Sequence, residues 1–136
     1  MKSTATANWK GTGKEGKGTV STRTGVLDNH NYSFHSRFED GEGTSPEELI
    51  AAAHAGCISM KLSFILNAAG FVPDYIDTKC MVTIDKGVIT ESHLEIVAKV
   101  PGIDAKKFAE CADEAKQTCP VSLVLNTNII LTARLE

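Results

Sequence analysis

The stretch Ser45-Pro46-Glu47-Glu48-Leu49-Ile50-Ala51-Ala52-Ala53-His54-Ala55-Gly56-Cys57-Ile58-Ser59-Met60-Lys61-Leu62-Ser63-Phe64-Ile65-Leu66-Asn67-Ala68-Ala69-Gly70 decides the fold. Ser45 suits an N-cap, Pro46 suits the first helical position, and Glu48 stands where a capping box wants a carboxylate. Glu47 and Glu48 together suit the positive end of the helix dipole. Gly70 is a C-cap residue. A helix is therefore predicted from Pro46 to about Ala69. Beyond its first turn the only formal charge is Lys61. A helix apolar nearly all round must be covered on most sides. Its load of His54, Ser59, Lys61, Ser63 and Asn67 argues for a buried core helix rather than a membrane span. One sheet drawn from 136 residues is little to cover it, so a dimer that shares the covering is expected.

Working outward, residues 4–9 and 19–24 read as short strands joined by a Gly-rich loop. Residues 31–38, Asn-Tyr-Ser-Phe-His-Ser-Arg-Phe, alternate polar and aromatic and read as a third strand. A turn-rich stretch, Glu39 to Thr44, leads to the long helix. Residues 75–85 and 88–99 form a hairpin about Asp85-Lys86-Gly87. Residues 104–117 form an amphipathic helix capped by Asp104. Cys119-Pro120 opens a short helix through about Leu125, and residues 127–135 form a last strand. The order β-β-β-α-β-β-α-α-β, with strands joined by hairpins, predicts an α+β fold with mostly antiparallel sheet. No repeat or linker divides residues 1–136, so a single domain is expected.

The formal net charge is -3, with 42% hydrophobic and 23% charged residues. No Lys/Arg cluster could neutralise a row of phosphates, which speaks against a nucleic-acid partner. The N-terminal segment lacks the apolar core of a signal peptide, so a cytoplasmic, reducing location is expected. Four cysteines there are fillers, metal ligands or redox groups rather than structural disulfides.

Gly11-Thr-Gly-Lys-Glu-Gly16 matches a dinucleotide-binding fingerprint literally, but a strand pattern follows it where a helix is required. A hairpin loop is the better reading. His54 and Cys57 stand three apart on one helical face and could be metal ligands with Cys119. No Cys-x-x-Cys or His-x-x-x-His supplies a fourth ligand, and a small thiol packed in a crowded helix fits the same spacing. Cys119 precedes a helix start, where free N–H groups lower a thiol pKa; Pro120 also starts a helix with no role for the thiol. Cys80 and Cys111 have no activating neighbour and read as filler. Arg37 is either a surface side chain draped over its aromatic neighbours or a fixed cation.

Gly43-Thr-Ser-Pro-Glu-Glu-Leu-Ile-Ala-Ala-Ala-His-Ala-Gly-Cys57 and Cys119-Pro120-Val121-Ser122 resemble the two signatures of the OsmC/Ohr family, the osmotically inducible and organic hydroperoxide resistance proteins. The resemblance extends over essentially the whole chain, through Trp9-Lys-Gly, Gly18-Thr-Val-Ser-Thr, Ser36-Arg-Phe-Glu39 and Val100-Pro-Gly-Ile-Asp104. Ser36-Arg37-Phe38 and His54 resemble the OsmC branch. Ser45 stands where Asn is common and Gly56 where Ala is common. The resemblance implies an intertwined homodimer with sheets wrapped around central helices, and a thiol peroxidase acting in the stress response. It implies Cys57 as the peroxide-attacking residue, Cys119 as the resolving one, Arg37 as the thiolate-binding cation and Glu47 as its orienting carboxylate. It also implies an organic hydroperoxide substrate, a dithiol reductant that includes lipoylated proteins, and no metal or organic cofactor. Local sequence alone favours Cys119 as the attacker, since it is the thiol at a helix start. Lowering a thiol pKa by two units needs about 2.7 kcal/mol, which one close guanidinium in a partly buried site supplies. A non-catalytic thiol or zinc-binding stress protein is the alternative.

Overall fold

The structure, a computed structural model, describes residues 1–136. The chain forms two compact units, Met1–Leu49 and Ile50–Glu136.

The first unit carries a three-stranded antiparallel sheet of β1 (Ala5–Lys10), β2 (Lys17–Thr22) and β3 (His30–Ser33), in that order. The register places Trp9 and Tyr32 on either side of Gly18. Their rings meet with centroids 5.3 Å apart. A Cβ on Gly18 would fall 2.6 Å from the Trp9 ring and 2.5 Å from that of Tyr32, so only glycine lets the rings approach. The Gly11–Gly16 segment is the β1–β2 loop, closed by Gly16 N–H donating to Thr12 O at 2.8 Å. A strand follows it, and the dinucleotide reading ends there.

The strand predicted over 31–38 stops at Ser33. Residues Phe34–Phe38 form a short helix, α1. Ser33 is its N-cap: the Ser36 N–H donates to Ser33 Oγ at 3.1 Å, and the Ser33 N–H donates to Ser36 Oγ at 2.7 Å. This reciprocal cap outweighs the polar–aromatic alternation. It also brings Phe34 and Phe38 onto one face, ring centroids 5.0 Å apart, as residues four apart on a helix must be.

The long helix α2 spans Pro46–Ala68, starting in the first unit and running through the second. Ser45 Oγ accepts from the Glu48 N–H at 3.0 Å, while the Glu48 carboxylate accepts from Thr44 Oγ1 at 2.9 Å rather than completing the predicted box. Gly70 takes φ +92°, a conformation that suits a helix end only without a Cβ.

In the second unit, β4 (Tyr75–Asp85) and β5 (Val88–Lys99) form the predicted hairpin. Lys86 and Gly87 both have positive φ, as a two-residue turn matching strand twist requires. The final strand, β6 (Asn128–Leu135), lies parallel to β5 on its other edge. Parallel neighbours need a crossover, here α3 (Ala105–Thr118) and α4 (Pro120–Val124). Asp104 caps α3 by accepting from the Lys107 N–H at 2.7 Å. Ile58, Leu62 and Leu66 of α2 share one core with Leu94, Ile96 and Ala98 of β5 and with Phe108, Cys111, Ala112 and Ala115 of α3. By length and composition α2 would also suit a membrane span. Its buried stripe belongs to this core, while Met60 and Phe64 on another face are 65% exposed.

Candidate active site

Cys57 and Cys119 come together. Cys57 lies midway along α2 and is half-buried; Cys119 is fully buried where α3 ends and α4 begins. Both are free thiols, and the Cys119 thiol is near enough to act on the ionisation of Cys57. The α4 terminus acts differently from the sequence reading. Cys119 is its N-cap residue but makes no side-chain cap hydrogen bond. The Val121 N–H of that first turn favours the Cys57 thiolate instead. The helix start thus acts on the thiol of the other helix as well as on the one that precedes it.

The charge environment of Cys57 is mixed. Burial pushes its thiol up, and the Cys119 thiol adds to the rise; the Val121 N–H and the Lys61 ammonium pull it down without reversing the shift. Lys61 was not picked out from the sequence, although its i+4 spacing from Cys57 puts both on one helical face.

In the first unit, Arg37 and Glu47 form a forked ion pair. Arg37 Nη2 donates to Glu47 Oε1 at 2.7 Å, and Nε donates to Oε1 and Oε2 at 2.9 and 3.1 Å. Glu47 is 7% exposed. Its hydrogen bonds to Arg37 hold the guanidinium's pKa above its ordinary value. The α1 turn makes this possible, because a strand over 31–38 would aim Arg37 differently. Arg37 also stacks on Phe38, 5.0 Å from the ring centroid. Beside it lies a cavity of about 260 Å³ lined by Trp9, Gly13, Tyr32, Ser33, Phe34, Arg37 and Phe38. That lining is mostly aromatic with one fixed cation.

His54 is completely buried, and both ring nitrogens have hydroxyl partners. Nδ1 lies 2.7 Å from Ser92 Oγ, and Nε2 lies 2.8 Å from Ser122 Oγ. Ser92 Oγ is also 3.3 Å from Cys80 Sγ. Burial lowers the His54 pKa, so the ring is neutral near pH 7, donating through one nitrogen and accepting through the other. Cys111 packs in the core. No three His, Cys, Asp or Glu side chains converge to hold a metal ion. Sequence reasoning left His54 without a role and missed Ser92, since nothing local links positions 54 and 92.

Residues 39–134 match the family model described as OsmC-like protein. The chain is 50% identical over 134 residues to the peroxiredoxin OsmC of Escherichia coli K12, covering 96% of this chain and 94% of that one. It is 29% identical over 101 residues to the organic hydroperoxide resistance protein of Xanthomonas axonopodis pv. citri, covering 70% of this chain and 68% of that one. Two solved structures share the fold. OhrB, the organic hydroperoxide resistance protein of Bacillus subtilis, superposes with TM-score 0.66 at 23% identity, covering 98% of both chains. An OsmC-like protein of unknown function from Vibrio cholerae superposes with TM-score 0.73 at 14% identity, covering 98% of this chain and 99% of that one. Matching the family model over most of its length and the E. coli peroxiredoxin over nearly all of it, the chain belongs to the OsmC family.

Proposed function

We propose that this protein is a thiol-dependent peroxidase that reduces organic hydroperoxides to alcohols, with Cys57 as attacker and Cys119 as resolver. The observation that carries the reading is the reduced pair itself, one thiol on α2 and the other at the junction of α3 and α4. That the chain is a cysteine peroxidase is supported by its 50% identity with a peroxiredoxin. That the peroxide is organic is supported by the organic hydroperoxide resistance relative and by the aromatic cavity beside Arg37.

In the first step the Cys57 thiolate attacks the distal peroxide oxygen. An S–O bond forms, the O–O bond breaks, and the alkoxide takes a proton and leaves as alcohol. The Cys119 sulfur then attacks the sulfenic sulfur while its thiol proton passes to the departing hydroxyl; an S–S bond forms, the S–O bond breaks and water leaves. A dithiol, including a protein-bound lipoyl group, re-reduces the pair by two thiol–disulfide exchanges. One peroxide and one dithiol become one alcohol, one water and one disulfide.

Arg37 and Glu47 are assigned to thiolate stabilisation. Along α2, Glu47 precedes Cys57 by about 15 Å of axial rise. A guanidinium forked onto Glu47 is therefore offered to the Cys57 of a second copy, across a homodimer interface. The exposed apolar stripe of α2, with Met60 and Phe64, supplies a surface for that dimer. The test is a panel of peroxides, from hydrogen peroxide to cumene and tert-butyl hydroperoxides, assayed with dithiol reductants. Catalytic dithiol consumption with the organic peroxides, lost in Cys57→Ser, is the expected result. Absence of turnover with every organic peroxide would overturn the reading.

A further inference from the structure

The two thiols are one rung of a two-rung ladder. On α2, His54 and Cys57 stand three positions apart and share a helical face. Opposite them, Cys119 is the N-cap of α4 and Ser122 is its third residue. Across the gap, Cys57 meets Cys119 and His54 meets Ser122, the latter at 2.8 Å. The His–Ser rung is 0% exposed on one side and 8% on the other. The far side of the ring is fixed by Ser92 of β5 at 2.7 Å. No buried side-chain nitrogen or oxygen in the chain lacks a partner.

Apart from Cys119 in the core and Val121 packed against it, the short helix has little burial to hold it. It is five residues long, with Leu123 and Val124 72% and 76% exposed. Lifting it away would strand a buried imidazole nitrogen without a hydrogen-bond partner. During turnover the thiol rung breaks and re-forms, because Cys57 passes through a sulfenic acid before bonding to Cys119. The His–Ser rung takes no part in that chemistry.

We propose that His54, through Ser122, is a positioning residue that keeps Cys119 docked against Cys57, so that the sulfenic acid closes to a disulfide before a second peroxide oxidises it. This rests on the assignment of Cys57 and Cys119 made above. Resolution transfers the sulfenic oxygen to water, whereas overoxidation adds a second peroxide oxygen and yields sulfinic acid and a second alcohol. The competition between them measures how often Cys119 is in place.

The experiment determines, by mass spectrometry, the organic peroxide concentration at which half of Cys57 becomes sulfinic acid. In Ser122→Ala this concentration falls about three- to tenfold, the worth of one hydrogen bond. Ser122→Thr, which keeps a hydroxyl, restores it. Ser92→Ala breaks the other side of His54, lowers the melting temperature and leaves the half-point near wild type. An unchanged half-point in Ser122→Ala, or an equal shift in Ser92→Ala, would overturn the proposal. Should Ser122→Ala fail to fold, hydrogen exchange of the reduced wild-type protein decides. The Leu123 and Leu125 amides, bonded to the Cys119 and Val121 carbonyls, are protected if α4 is held and exchange like open chain if it is not. A wild-type protein that forms no Cys57–Cys119 disulfide would instead sink the cysteine assignment.

Discussion

The two units are built on opposite principles. Ile50–Glu136 holds every buried apolar side chain of the protein, twelve of them from Ile58 to Cys119, gathered in one cluster. Met1–Leu49 buries only Gly16, Gly18 and Glu47. Its β1 is exposed at all six positions. The second unit is stabilised as an ordinary domain is, by removing apolar surface from water. The first is held by sheet hydrogen bonds, the Trp9–Tyr32 contact and the Arg37–Glu47 fork, without a core of its own. The candidate site residues divide along the same line, with Cys57 and Cys119 in the unit that has a core and Arg37 and Glu47 in the unit that lacks one. In the proposed dimer a second copy of the chain would add cover to the first unit.

The sharpest test of this division is at the thiols. Cys57→Ser should abolish reaction with peroxide. Cys119→Ser should consume one equivalent and accumulate Cys57 sulfenic acid, then sulfinic acid under excess oxidant, as read by mass spectrometry. A sulfenic acid on Cys119 in the Cys57→Ser protein, formed at the wild-type rate, would reverse the roles.

Next in size is the shared cover. Phe64→Glu puts a charge into the exposed stripe of α2 while sparing the core face. Sedimentation should then show monomer where wild type is dimer, turnover should drop steeply, and amide exchange should rise most in residues 1–49. A wild-type monomer at micromolar concentration would break the comparison, because the first unit would then stand uncovered.

Arg37→Ala should slow peroxide attack at pH 7 by about tenfold or more, since a close opposite charge is worth about one to three pKa units to a thiolate. Iodoacetamide alkylation against pH reads the shift directly. Within its own chain, burial leaves the Cys57 thiol above its ordinary value, so the missing cation is the one the dimer would bring. Arg37→Lys should recover part of the rate, as an ammonium cannot fork onto Glu47 and reach sulfur together. An unchanged alkylation profile in Arg37→Ala would remove Arg37 from the site.

The smallest effect expected is a pH dependence confined to the second unit. His54 has a lowered pKa because it is buried. The unfolded chain therefore binds the proton more readily, and stability falls as pH drops below the unfolded value of about 6.5 towards the lower folded value. Above that window the term is absent. Thermal unfolding from pH 8 to 5 should show the loss, and His54→Gln should flatten it. A slope unchanged in His54→Gln would assign it to other groups.

Much of the second unit was legible because its signals are local and mutually consistent. The Gly70 stop ends α2, whose Ser45-Pro46 start lies just before this unit, the strand bounds 75–85 and 88–99 coincide with those observed, and Asp104 caps α3. The first unit was harder to read. In residues 31–38 the aromatic alternation competes with a Ser33–Ser36 cap that a strand pattern hides. The parallel placement of β6 was also out of reach, because it depends on where two helices deliver the chain.

By itself, the sequence determined most of the helices and strands that caps and turns mark locally, and its resemblance to a family named the four residues of the candidate site. Only tertiary structure decided what those residues meet. Cys119 makes no side-chain cap at the start of α4, Arg37 swings to Glu47 on an unforeseen helical turn, and Ser92 and Ser122 close on His54 from 38 and 68 residues away. The physical reason is range. Caps and turns are settled by neighbours along the chain, whereas the partner of a buried polar group is settled by which distant backbone the core brings within hydrogen-bonding distance.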